Sequence, residues 1–212
     1  MPYDLILFDL DGTLSDPAVG IGRSINHALL HHGHAPLQPH EVPAWIGPPL
    51  DESFGRLPGG ADPALVASLV AKYRERYGEL GYAENTLYGG VPEALQVLAD
   101  AGVAMGVCTS KRVDFAEQIL EMFGLRHFFG FVSGGDIGVQ KWQQIAALRE
   151  RGVIRGPAVM VGDRAVDLTA ARRNGLHGAG VLWGHGSHAE LAAEQPQHLF
   201  REPAEWRQLL AA

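Results

Sequence analysis

Short apolar runs recur along this chain at Leu5 to Phe8, Val103 to Cys108, Phe129 to Val132, Ala158 to Val161 and Gly180 to Leu182. Each is too short for a helix and reads as a buried strand. Helical patterns lie between most of them. Glu93 to Ala101 follows Pro92 and precedes Gly102, Asp114 to Met122 is closed by Gly124, Gln143 to Glu150 follows, and Asp167 to Asn174 is stopped by Gly175. This alternation predicts an α/β protein built on a doubly wound parallel sheet.

The first interval breaks the rhythm, because the chain between Phe8 and Val103 is far longer than one crossover needs. Ile21 to His32 and Ala64 to Tyr77 carry helical spacing there, with breaks at Pro36, Pro39, Pro48, Pro49 and Pro58 to Gly60. The pattern predicts an inserted helical cap over 17–85, with the α/β core made from 1–16 and 86–212.

The 212 residues suit one core plus one insertion, and 46% hydrophobic with 19% charged residues is the composition of a soluble globular protein. A net charge of −7 gives no basic footprint for a nucleic acid polymer or an anionic membrane. No apolar run approaches the roughly 20 residues that span a bilayer. Met1-Pro-Tyr-Asp leads straight into the first strand, and Cys108 is the single cysteine, so a cytoplasmic, reducing location is expected. A monomer or a homodimer is expected.

Chemistry concentrates where the strands end. Asp9 and Asp11 stand where the first run passes into a Gly-Thr turn, which is where open α/β sheets keep their sites. Two acids so placed can hold one cation, or divide the work of nucleophile and proton shuttle. The plain alternative is an acidic turn after a core strand. Thr109, Ser110 and Lys111 end the second run, and Gly162-Asp163 with Asp167 ends the fourth.

Leu7-Phe-Asp9-Leu-Asp11-Gly12-Thr13-Leu14 resembles the first signature of the haloacid dehalogenase superfamily. Ala104 to Lys111 resembles the second, Lys141 stands where the third places its lysine, and Ala158 to Asp167 resembles the acidic fourth. The resemblance implies a helical cap over an α/β core, Asp9 as nucleophile and Asp11 as acid and base. It implies phosphate held by the Thr109 hydroxyl and the Ser110 backbone N–H, with Lys141 supplying positive charge. It also implies Mg²⁺ held by Asp9, Asp163 and the Asp11 carbonyl, with Asp167 reaching the metal directly or through water, or else capping a helix.

The chain departs from the commonest pattern at Trp142, where many relatives have proline after the lysine. Lys111 is a rival cation, read more simply as a solvated loop charge. Ile46 to Phe54 and Trp183 to Ser187 resemble segments of phosphoglycolate phosphatase-like and 5′-nucleotidase-like members, the former being otherwise a plain interhelical turn. Arg23 and Arg56 read as solvated helix charges. His31, His32, His34 and His40 match no zinc spacing and read as an exposed turn.

The resemblance implies a Mg²⁺-dependent phosphatase whose partner is a small phosphorylated metabolite, a 5′-nucleotide or 2-phosphoglycolate, hydrolysed through an aspartyl-phosphate. A phosphomutase of the same fold, or a catalytically silent phosphometabolite-binding protein, are the alternatives.

Overall fold

The computed structural model describes residues 2–57 and 59–211; Met1, Pro58 and Ala212, including the break expected at Pro58, lie outside the described residues. Leu5–Phe8 forms β1, buried at every position because helices cover both faces of the sheet. Its side chains alternate, Ile6 and Phe8 joining one apolar cluster while Leu5 and Leu7 join another.

Ser15–Asp16 (β2) and Thr86–Leu87 (β3) pair antiparallel, Ser15 opposite Leu87. The parallel sheet continues with Ala104–Cys108 (β4), Val132–Ser133 (β5), Ala158–Gly162 (β6), His177–Val181 (β7) and His198–Phe200 (β8). Its order is β5-β4-β1-β6-β7-β8, with every neighbouring pair parallel.

Between β2 and β3 lie α1 (Ala18–His31), α2 (Leu50–Gly55) and α3 (Pro63–Glu79), with 3-10 turns at Val42–Trp45 and Gly81–Glu84. Helix α3 begins where Asp62 accepts from Leu65 N at 2.8 Å and Pro63 takes the first turn, one residue ahead of the expected start. These helices bury a cluster of their own, including Ile25, Leu29, Phe54 and Leu69, which Phe115 joins from the core.

On one face of the parallel sheet pack α4 (Val91–Asp100), α5 (Val113–Met122) and a 3-10 segment at Pro203–Leu210; on the other pack α6 (Lys141–Glu150) and α7 (Ala165–Arg173). Each fully buried Leu, Ile or Phe in these layers stabilises the fold by about 1.5–3 kcal/mol.

Three differences from the expected pattern have physical causes. The run Phe129 to Phe131 does lie along β4, with Gly130 N donating to Met105 O at 2.9 Å, but paired residues begin only at Val132. Strand β7 starts earlier than expected because its glycines pack close against β8 and α7 where apolar side chains were sought. Strand β8 and α8 (His188–Ala193) were not expected, being too short to show a period.

Cys108 is buried beneath the sheet against the α6 layer, and burial pushes its thiol up to about 12, well away from reactivity. His32 contacts Ala28 O and Ser68 Oγ, and among the described residues the four histidines form no metal cluster.

Candidate active site

The C-terminal ends of β4, β1 and β6 lie side by side, so the residues that follow them meet. Asp9 N donates to Val161 O at 2.9 Å, extending the ladder by one step and fixing the Asp9 backbone. Its Oδ1 accepts from Leu10 N at 2.8 Å and lies 3.0 Å from Lys141 Nζ. Beyond it the chain turns sharply, Leu14 N reaching back to Leu10 O at 2.9 Å. Gly12 sits in this turn at φ +83°, where a Cβ would overlap the Asp163 carboxylate, so the turn closes over the site only with glycine.

Lys141 opens α6 rather than preceding it in a loop. Gln140 N donates to Gln143 Oε1 at 2.8 Å and begins the helix there, aiming the lysine across the strand ends. Its ammonium is wholly buried between Asp9 and Asp167, and although burial disfavours its charge, Asp167 and Asp9 hold its pKa above the ordinary lysine value. Asp167 also accepts from Arg164 N at 3.0 Å through its other oxygen. It therefore caps α7 and fixes Lys141 at once.

Oxygens of Asp9, Asp163 and Asp167 lie within 4.8 Å of one another. Asp163 Oδ2 accepts from His185 N at 2.7 Å, while Oδ1 is buried with no partner among the described residues. Burial first, and then Asp167 and Asp9, push the Asp163 carboxyl well above its ordinary range. With Asp11, four carboxylates face the two ammoniums of Lys141 and Lys111. The surplus of negative charge, the orphaned oxygen and a donor set made only of oxygen fit a hard divalent cation such as Mg²⁺. Asp9, Asp163 and Asp167 are the residues that could hold it.

Thr109 follows β4, its N donating to Ser133 O at 2.9 Å and its carbonyl accepting from Gln144 Nε2 at 3.0 Å. Ser110 lies beside it with Oγ buried and without a partner among the described residues. Lys111 is not a solvated loop charge, and that expectation is corrected. Its side chain is 5% exposed, pairs with Asp11 Oδ2 at 2.8 Å and donates to Tyr77 Oη at 2.7 Å. Tyr77 and Tyr73, stacked at 13°, come from α3 and shed water from this contact. Burial pushes the Asp11 carboxyl above its ordinary value, against the pull of Lys111.

A cleft opens above these groups between the strand ends and the inserted helices. Trp45, Leu50, Tyr73 and Tyr77 line it from above, Phe115 and Ile137 from the core. The Gly47-Pro48-Pro49 loop forms one rim and is held from below by Arg164, which sequence reading did not single out. Arg164 donates to Ile46 O and Pro43 O, pairs with Glu190 at 2.9 Å, and passes so close that a Cβ on Gly47 would meet its Cγ at 2.7 Å.

The Trp183 to Ser187 segment packs against Asp163, so closely that a Cβ on Gly184 or Gly186 would overlap that residue. Trp183 Nε1 donates to Thr13 O at 3.1 Å, and Ser187 caps α8. Trp142 lies under the Arg173 guanidinium, 3.8 Å from the ring centroid. Arg23 pairs with Glu84 and Arg56 with Glu52, and neither lines the cleft.

The profile of the haloacid dehalogenase-like hydrolases matches residues 6–181. The chain is 37% identical over 212 residues to a 5′-nucleotidase of Pseudomonas aeruginosa, covering 98% of this chain and 96% of that protein. It is also 37% identical over 195 residues to the tyrosine-protein kinase PtkA of Mycobacterium tuberculosis, covering 86% of this chain but 63% of that one. A crystal structure of a predicted phosphatase from Clostridium acetobutylicum superposes with a TM-score of 0.93 at 32% identity, covering 99% of each chain. With a matching profile across most of its length and a relative 37% identical over nearly the whole of both chains, the chain belongs to the haloacid dehalogenase-like hydrolase family.

Proposed function

We propose that this phosphoric monoester hydrolase cleaves small phosphomonoesters by covalent transfer to Asp9, with Mg²⁺ as its cofactor. The observation that carries the reading is the Asp9–Lys141 contact at 3.0 Å: both contacts of that carboxylate fall on Oδ1, leaving Oδ2 to attack phosphorus. Lys141, fixed by Asp167, offsets the charge that would repel a phosphate dianion. The Thr109 hydroxyl, the Ser110 N–H and the partnerless Ser110 Oγ would take phosphate oxygens. A divalent cation held by Asp9 and Asp163, with the Asp11 carbonyl and Asp167 as further donors, would neutralise phosphate charge. Asp11 would protonate the departing oxygen and then take a proton from the water that hydrolyses the aspartyl-phosphate.

In this reading residues 17–85 act as the cap, hinged on the β2–β3 pair, and choose the leaving group. The cleft favours a nucleoside 5′-monophosphate over 2-phosphoglycolate. Its walls are aromatic and aliphatic, and its cations are already matched: Arg74 with Asp136, Arg112 with Asp114, Lys111 with Asp11. A flat, uncharged leaving group gains from such walls, whereas a second carboxylate finds no free partner. We read the enzyme as cytoplasmic from its single cysteine, a buried free thiol; among the described residues no helix is long and apolar enough to cross a membrane.

The test is phosphate release from a panel of phosphomonoesters with Mg²⁺. Nucleoside monophosphates should be hydrolysed faster than 2-phosphoglycolate, a chelator should stop release, and Asp9→Asn should abolish it. Release that survives either the chelator or Asp9→Asn would overturn the corresponding part of the reading.

A further inference from the structure

Asp11 is held in place by very little of the core. Its Oδ2 pairs with Lys111, and among the described residues its Oδ1 has no partner. Lys111 is anchored in turn by the inserted helices: Nζ donates to Tyr77 Oη at 2.7 Å and lies 4.3 Å from the centroid of that ring. Tyr77 cannot give way easily, being 1% exposed, stacked on Tyr73 and in edge contact with Phe115. The chain of contacts therefore runs from α3, through Lys111, to the carboxyl that must meet the leaving oxygen.

We propose that Lys111 is a positioning residue that fixes the Asp11 carboxyl for proton transfer, and that Tyr77 holds Lys111, so Asp11 is aligned only while α3 is seated over the core. This rests on the reading of Asp11 as proton donor. In the step concerned, the bond from Asp9 Oδ2 to phosphorus forms as the bond from phosphorus to the ester oxygen breaks. The electron pair of the broken bond stays on that oxygen, which takes the Asp11 proton. The carboxylate left behind faces the Lys111 ammonium, so the same contact that aligns the donor also stabilises its product. Lys141 has no such access, since Asp9 and Asp167 occupy it.

The test compares kcat/KM for wild type, Lys111→Met and Tyr77→Phe on adenosine 5′-monophosphate and on p-nitrophenyl phosphate, in the full chain with Mg²⁺. The first ester leaves as an alkoxide that needs a proton; the second leaves as a stable phenolate. Misplacing a donor by about 1 Å costs on the order of 10²-fold, so Lys111→Met should lose about that much on the nucleotide. It should lose less than about fivefold on p-nitrophenyl phosphate, where general acid catalysis contributes little. Tyr77→Phe keeps the ring and removes one hydrogen bond to a charged group, so about a tenfold loss is expected on the nucleotide alone. It also serves if Lys111→Met does not fold. The double variant should be no worse than Lys111→Met.

Equal losses on both substrates with a raised KM would overturn the proposal in favour of Lys111 binding phosphate. Equal losses with unchanged KM, or no loss, would reduce the contact to a structural one. Wild-type turnover that survives Asp9→Asn would instead sink the covalent reading on which the proposal stands.

Discussion

Lys141→Met keeps most of the side chain's bulk and removes its charge, so it isolates what one ammonium does among buried carboxylates. In the wild type, Nζ stands 3.0 Å from Asp9 Oδ1 and in closer contact with Asp167, and none of these side chains is more than 2% exposed. Asp163 brings a third carboxylate to the same point. Removing one partner of a buried ion pair costs about 3–5 kcal/mol. That is on the order of a 10²–10⁴-fold fall in the folded-to-unfolded ratio. The loss should grow with pH. Burial and its neighbours already hold Asp163 well above the ordinary carboxylate value and Asp167 above it, and losing Lys141, whose charge pulls both down, pushes them further up. The folded chain then binds more protons than the unfolded one, so stability is greatest below the ordinary carboxylate range and is lost as pH rises through the folded-state values. Urea unfolding in chelator at pH 5 and pH 8 measures this directly. Adding Mg²⁺ at about 100 times its Kd should then return about 2.7 kcal/mol, and at least as much to the variant as to the wild type. A variant within about 1 kcal/mol of wild type at both pH values would refute the reasoning.

Gly12→Ala places a Cβ at positive φ against the Asp163 carboxylate, so unfolding should cost about 1–2 kcal/mol less while phosphate release falls at least about 10²-fold; thermal unfolding and activity on one preparation separate the two effects. Arg164→Ala frees the Ile46 and Pro43 carbonyls and unpairs Glu190, and should cost about 1–3 kcal/mol. Because the loop it holds lines the cleft, the ratio of kcat/KM between nucleotide and 2-phosphoglycolate should change as well, and an unchanged ratio would count against that loop as a specificity element. Trp206, fully buried with its ring 4.8 Å from that of Phe8 and its Nε1 unpartnered, should cost about 3–5 kcal/mol as Trp206→Ala and far less as Trp206→Phe, measured by denaturant midpoint.

What was legible in the sequence is what short-range pattern determines. Leu5–Phe8 is apolar at every position because a central parallel strand is covered on both faces, and the acids after it follow from where such a strand ends. Thr109 and Asp163 come to Asp9 because β4 and β6 flank β1, an order that the alternation of strands and helices does not fix by itself. Lys111 was misread because Ser110 and Arg112 beside it are polar and signal a wet loop. Tyr77, the residue that removes the water, comes from a helix 34 residues away. Arg164 escaped notice for the same reason, its partners Ile46 and Glu190 lying 118 and 26 residues distant. Trp206 reads as core from its type alone and is buried, but it stands between Glu205 and Arg207, and no local period announces its packing against Phe8.

The covalent role of Asp9 is tested most directly by trapping its intermediate. Asp11→Asn leaves the nucleophile in place but removes the group that draws a proton from water, so hydrolysis of the aspartyl-phosphate should slow by on the order of 10²–10⁴-fold. With p-nitrophenyl phosphate, whose leaving group needs little protonation, the variant should release p-nitrophenolate in a burst and then stall. Peptide mass spectrometry of the quenched protein should find one added phosphoryl group on the peptide that contains Asp9. Steady phosphate release with no adduct on that peptide, or an adduct on a different residue, would contradict the account.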